Sequence, residues 1–265
     1  MYQITSTKNP LVKEIKSLHK KKGRVKNSAF IIEGIKIINE ALENNYPLEK
    51  IIYTDKLFDN NDGEKLLNRI KDKYELVYVS DNVFNEISDT ETPQGILAVA
   101  QLKYKVADEI SLNNNPFLLY LDEVQDPGNM GTIIRTADAF NVDGVIISEG
   151  CADPYNPKVV RATMGSIFRT PLFFASKGLD TLIKLKDKGI KIYSSSLEGS
   201  IPIYKADYSG GLVLVIGNES KGVSRDIQLM SDILIKIPMP GKAESLNAGV
   251  AASIMMYEIT KHRSE

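Results

Sequence analysis

From Pro116 onward, short apolar runs of strand length alternate with helical stretches, and this alternation narrows the possible folds more than any other feature of the chain. The runs "FLLYLD", "GVIIS", "PLFFA", "KIYSSS", "LVLVIG" and "ILIKIPM" hold few charged residues, so they read as strands covered on both faces. Helical stretches separate most of them: Asn129 to Phe140, around Val159 to Phe168, Leu179 to Lys188, and a last helix from about Ser245 to Lys261. Buried strands joined by helices predict an α/β fold with a parallel sheet and helices on both faces. Ligands of such sheets lie outside the carboxyl ends of the strands, so function is sought in the strand-end loops.

The first hundred residues predict a smaller α/β unit. "AFIIEG", "KIIYT", "YELVYVS" and "GILAVAQ" read as strands, while Pro10 to His19, "IKIINEALEN" and "GEKLLNRIKDKY" have helical spacing. Asp108 to Pro116 is polar and contains "NNNP", which reads as a linker. We therefore expect two domains, 1–106 and 107–265, and 265 residues at 43% hydrophobic content suffice for two cores.

Several classes of chemistry are poorly served by this composition. Cys151 is the only cysteine, which excludes an intramolecular disulfide and any multi-thiolate metal site. The two histidines, His19 and His262, lie near the chain ends in charged surroundings, so neither imidazole catalysis nor a metal is expected. No apolar run approaches the roughly 18 residues of a membrane helix, and the polar start "MYQITSTKNP" does not resemble a secretory leader. The expected location is the cytoplasm, with no membrane partner. Net charge is -1, but residues 1–30 hold eight Lys/Arg against Glu14 alone. That block reads either as a solvated helix face or as a phosphate-contacting surface.

Three strand-end loops stand out. "GNESKGVS" has the glycine spacing of a phosphate loop but places Val223 where such a loop needs lysine. "DPGNMGTIIRTADAF" opens a helix after a strand, yet lacks the glycine pattern of a dinucleotide site. Within that helix Arg135 reads by itself as one half of a surface pair with Asp138. In "IPMPGKAESLNAGVAASIMMYEI", Ser245 or Asn247 can cap a helix whose apolar face would be Leu246, Val250, Ile254 and Tyr257. Two adjacent candidate caps leave one side chain available for another task.

Taken together, "DPGNMGTIIRTADAF", "LVLVIGNESKGVS" and "IPMPGKAESLNAGVAASI", in this order, resemble the three motifs of SpoU-type, TrmH-like RNA ribose 2'-O-methyltransferases of the SPOUT class. The amino-terminal "ITSTKNPLVKEIKSL", "FIIEGIKIINEAL" and "ETPQGILAVA" look like the substrate RNA-binding domain, ribosomal-protein L30e-like, that precedes the catalytic domain in many members. The resemblance implies a trefoil knot in the last strands, whereas periodicity alone predicts a plain doubly wound sheet. It also implies S-adenosylmethionine as cofactor, contacted by Ser195, Ser196, Leu197, Gly217, Asn218, Glu219, Ile237, Met239 and Leu246. Gly217 would let the backbone approach the cofactor closely. The catalytic set carried over is Asn129, Arg135, Glu219, Ser245 and Asn247, with Arg135 as base or as phosphate clamp.

An RNA substrate turns the basic amino terminus into a candidate interface. Lys20, Lys21, Lys22, Arg24 and Lys26 form its centre, and Arg161 and Arg169 are further candidates. Ribosomal RNA is the expected substrate, because the appended amino-terminal domain resembles those of ribosomal RNA enzymes. The family resemblance also implies a homodimer through the carboxyl-terminal helix. Transfer RNA, a base nitrogen as acceptor in the same knotted class, and a catalytically idle RNA-binding module stand as alternatives.

Overall fold

A computed structural model describes residues 3–197 and 201–264. The chain divides into two compact units: Met1–Lys103 with Tyr155–Phe168, and Tyr104–Pro154 with Arg169–Glu265. The division falls three residues before the expected boundary, and residues 155–168, expected in the second unit, cluster with the first.

The first unit runs α1 (Pro10–Ser17), α2 (Lys21–Asn27), β1 (Ala29–Glu33), α3 (Ile35–Glu43), β2 (Leu48–Tyr53), α4 (Asn61–Ile70), β3 (Glu75–Tyr78), α5 (Asp81–Ile87) and β4 (Ile96–Gln101). Its sheet has the order β1-β4-β2-β3, with only β2 and β3 parallel. Asn9 caps α1 through its side chain, and Pro10 at the first helical position fits the backbone there. Val12, Ile15 and Leu18 then join Val83, Phe84 and Ile87 of α5 over Ile31, Ile52 and Leu97 of the sheet. The helices α2 and α5 are absent from the sequence reading; α2 is a short basic stretch with little apolar periodicity.

The second unit begins with β5 (Lys105–Val106), β6 (Phe117–Leu121), α6 (Pro127–Ala139) and β7 (Gly144–Ser148). Helix α7 (Pro157–Ala162) follows within the segment that clusters with the first unit, and is shorter than expected because Met164, with φ 52°, ends the helical path. The chain continues through β8 (Leu172–Ala175), α8 (Gly178–Asp187), β9 (Lys191–Ser195), β10 (Ile201–Pro202), β11 (Leu212–Ile216), α9 (Arg225–Met230), β12 (Ile233–Lys236) and α10 (Ala248–Ser264). The expected linker, Asp108 to Pro116, is no free tether: its Ile110 and Leu112 pack on the core of this unit, just after Lys105–Val106 pair with β8.

The sheet is parallel throughout, in the order β10-β12-β9-β11-β6-β7-β8-β5. Leu118, Tyr120, Val213 and Val215 share a core with Leu182 and Leu185 of α8 and Ile227 of α9. The residues between them, Leu119, Leu121, Leu214 and Ile216, are equally buried. By the period-two rule they face the opposite layer, where α6 and α10 pack together. From β9 the chain visits the sheet edge at β10, returns to insert β11 beside β6, and crosses back to lay β12 on the other side of β9. It then returns again through residues 237–247 to set α10 on α6. Overlapping connections of this kind are what the resemblance to a knotted sheet implies.

Candidate functional site

The loop after β11 is built by its own backbone. Asn218 and Gly222 exchange two backbone hydrogen bonds of 3.0 and 2.9 Å, and Asn218 Oδ1 accepts the N–H groups of Ser220 and Lys221. Gly222 has φ 69°, the left-handed conformation that closes the turn at no steric cost. Gly217 is required for a reason other than the one expected. A Cβ there would lie 2.1 Å from both the Gly222 carbonyl carbon and the Val223 nitrogen, so glycine lets the strand end meet its own returning loop. The Asn218 amide also donates to the Glu123 carbonyl at 2.9 Å, which ties this loop to the one after β6.

Glu219 makes the principal link between the two loops. Its carboxylate accepts the backbone N–H groups of Gln125 and Asp126 at 3.1 and 3.0 Å and the Asn129 side-chain amide at 3.0 Å. Burial pushes the Glu219 carboxyl up, but the hydrogen bonds from Asn129, Asp126 and Gln125 outweigh it and hold the group below the usual carboxylate range. Asp126 in turn caps α6, accepting the Asn129 N–H at 2.8 Å. Asp122, which is buried, accepts the Ser224 N–H at 2.7 Å and pins the far end of the β11 loop. Glu219 and Asn129 are thus acceptor and donor in one network that places the first turn of α6.

At the third loop the competition between candidate caps is resolved in favour of Asn247. Its side-chain oxygen accepts the N–H groups of Gly249 and Val250 at 3.0 and 3.2 Å, so α10 starts at Ala248, three residues later than expected. Ser245 is left in the wall of a cavity of about 450 Å³. Gly249 lets α10 approach α6: a Cβ would stand 3.2 Å from the Thr132 Cβ. One turn further, Thr136 and Ser253 share a hydrogen bond of 3.0 Å across the same interface.

The cavity lies at the carboxyl ends of β9, β11 and β12. Ser195, Ser196, Leu197, Gly217, Asn218, Glu219, Ile237, Met239 and Leu246, the nine expected cofactor contacts, all line it. Val223, Gln228 and Met255 line it too and were missed, since neither a mid-loop valine nor residues one or two turns into a helix carry a local signal. Asp122 and Asp126 were likewise missed as organisers, although an Asp followed by Pro at the first helical position is a readable cap signal. Arg135 lies exposed on α6, without a hydrogen bond or ion pair among the described residues. The pairing with Asp138 allowed for it does not form: Asp138 is engaged by Arg169, in contacts of 2.8 to 3.2 Å.

The expected RNA-contacting set needs one correction. Arg24 is 2% exposed, and its guanidinium donates to the Leu18 and His19 carbonyls at 2.8 and 2.9 Å, closing the end of α1. A guanidinium that saturates helix-end carbonyls cannot also reach a phosphate. Lys20, Lys21, Lys22 and Lys26 are exposed. Arg161 and Arg169 are held by Asp89 and Asp138 respectively. Burial raises the Cys151 thiol above its ordinary range, as an inert cysteine requires. Among the described residues no cluster of His, Cys, Asp and Glu could hold a metal, and no helix is long and apolar enough to cross a membrane.

Residues 116–257 match the SpoU rRNA Methylase family, and residues 9–98 match the MRM3-like substrate binding domain. A 23S rRNA (guanosine(2553)-2'-O)-methyltransferase of Bacillus subtilis is 35% identical over 98% of this chain and 99% of its own. The AdoMet-bound rRNA methyltransferase from Sinorhizobium meliloti superimposes with a TM-score of 0.87 at 31% identity, covering 98% of each chain. The SpoU methyltransferase AviRb from Streptomyces viridochromogenes, in complex with AdoMet, gives 0.89 at 26% identity over 97% of this chain and 99% of its own.

Proposed function

This chain belongs to the SpoU rRNA methylase family and is an S-adenosylmethionine-dependent RNA methyltransferase; from that premise we propose that it methylates a ribose 2'-hydroxyl of ribosomal RNA. The cavity fits the cofactor on its own chemistry. About 450 Å³ lies within the range of small-molecule sites, and its wall combines apolar Ile216, Val223, Leu246 and Met255 with the backbone of three loops. The nine residues from Ser195 to Leu246 named above would hold the cofactor. When bound, it would supply a methyl group activated on a sulfonium, whose leaving group is a neutral thioether.

The proton of the 2'-hydroxyl would pass to solvent water, and the chain's own residues have to deal with the charge that develops on that oxygen. A guanidinium is a poor base, so Arg135 serves as the clamp: it holds a phosphate of the substrate and stabilises the developing alkoxide. Glu219 and Asn129 fix the first turn of α6, the helix that carries Arg135 further along. Ser245 orients the ribose from the cavity wall, and Asn247 orders the loop that carries Ser245 and Leu246. The observation that carries this reading is the unpaired Arg135 on a helix whose first turn is tied, through Glu219, to the wall of the cavity.

We assign substrate RNA binding to residues 1–106, through Lys20, Lys21, Lys22 and Lys26, and catalysis to 107–265. Ribosomal RNA is favoured by the substrate named for the Bacillus subtilis relative. The chain acts as a homodimer through α10, a reading supported by Val250, Ile254 and Tyr257, which lie at 45%, 37% and 54% exposure along one side of that helix. Labelled methyl transfer to RNA from cells lacking this protein, followed by nucleoside analysis, tests the function. Label is expected in a 2'-O-methylnucleoside of 23S rRNA; label on a base, or none, would overturn it. Arg135→Ala is expected to lower kcat by about 10²- to 10³-fold with cofactor affinity within about twofold of wild type.

A further inference from the structure

Lys221 sits at the tip of the β11 loop, and its backbone is held in place although its side chain is exposed. The loop ends are closed by the two Asn218–Gly222 hydrogen bonds, and the Lys221 N–H itself is turned onto Asn218 Oδ1 at 3.1 Å. The tip therefore carries Lys221 from one anchored place on the cavity wall. The acid two residues before it is not available to neutralise it. Glu219 spends its carboxylate on Gln125, Asp126 and Asn129, and the Lys221 ammonium has no hydrogen bond or ion pair among the described residues.

An uncompensated ammonium beside a cavity that takes a sulfonium is repelled by that sulfonium. Holding the cationic centre of the cofactor does not explain its presence, and an anion does. The RNA backbone supplies one phosphate per nucleotide, and any ribose that enters the site brings its flanking phosphates to this rim. We infer that Lys221 contacts a phosphate adjacent to the ribose being methylated; this rests on the reading of the cavity as the methyl-transfer site. Arg135 approaches the substrate from α6 and Lys221 from the β11 loop, two elements that Glu219 ties together. A loop that positions Glu219 through its backbone thus also positions a substrate cation.

The test compares Lys221→Met, Lys221→Arg and, as control, Lys188→Met with wild type on unmodified 23S rRNA transcribed in vitro. Lys188 ends α8, just before the amino end of β9 and so at the opposite end of that strand from the cavity. Lys221→Met is expected to raise KM for RNA about fivefold, with kcat and cofactor Kd by calorimetry unchanged, and to flatten the dependence of log K on log salt by about 0.7 to 0.9. Lys221→Arg restores both, and Lys188→Met matches wild type. Unchanged KM and salt slope in Lys221→Met would overturn the inference. So would weakened cofactor binding with unchanged RNA binding, which would assign the lysine to the cofactor's carboxylate. If wild type itself transfers no methyl to any RNA, the parent reading falls and this one with it, whichever way the variants behave.

Discussion

Glu219 shows how one side chain can tie a cavity wall to a helix in another part of the chain. Three donors from the β6 loop and α6 converge on its carboxylate, so replacing it frees the cavity wall from the helix that bears Arg135. The carboxyl is held below its usual range when folded. Its contribution to stability is therefore fully present above the ordinary glutamate pKa and is lost as pH falls through the lower, folded-state value. Urea unfolding of wild type and Glu219→Ala is expected to show the largest stability difference near neutral pH, shrinking below about pH 4.5. The side chain is exposed, so solvent screening keeps that difference modest. A difference that stays flat across this range would remove the carboxylate from the account. The pattern "GNE" was legible in the sequence; its partners at Gln125 and Asp126, some 90 positions away, were not.

At the scale of elements, the site depends on how α6 and α10 begin. Each is capped by a side chain, Asp126 for α6 and Asn247 for α10, and each cap lies in a loop tied to or lining the cavity. Asn247→Ala is expected to cost about 1 kcal/mol of stability by denaturant titration and to weaken cofactor binding, because Leu246 and Ser245 lose their anchor. Ser245→Ala leaves the cap intact, so its stability should stay within about 0.5 kcal/mol of wild type while activity falls. Existence of both helices could be read from spacing, and their starts could not, since Ser245 and Asn247 are equally good caps until the chain path decides between them. The face of α10 was misread for a related reason. Val250, Ile254 and Tyr257 fit an apolar stripe, but Gly249, Ala252, Met255, Met256 and Ile259 are the residues buried in the chain. A helix apolar on most sides has no single face that period 3.6 can select.

For the whole molecule, that exposed stripe is the feature most in need of a partner. Apolar side chains at i, i+4 and i+7 on a helix packed against α6 supply the surface for the proposed dimer. Ile254→Glu with Val250→Glu is expected to convert a dimer to monomer by light scattering while leaving the fold, followed by circular dichroism, intact. A wild type that is monomeric at all concentrations would remove the proposal. The correction at Arg24 belongs to this scale too. A basic run reads as a surface in sequence, yet burial of one member against the end of α1 turned a candidate RNA contact into a structural tie.

By itself the sequence determined the α/β class, the parallel character of the larger sheet and the loops in which function lies, because burial on both faces and glycine-bounded strand ends are local properties of a chain. The three motifs pointed to the family, and the residues expected around the cofactor do share one cavity. Only the tertiary structure decided the strand order, the return of residues 155–168 to the first unit, the spending of Glu219 on its neighbour loop and the freedom of Arg135 and Lys221. Each of these is a choice among partners far apart in sequence. Which charges remain unpaired is settled only when the fold has assigned every nearby acid to a donor.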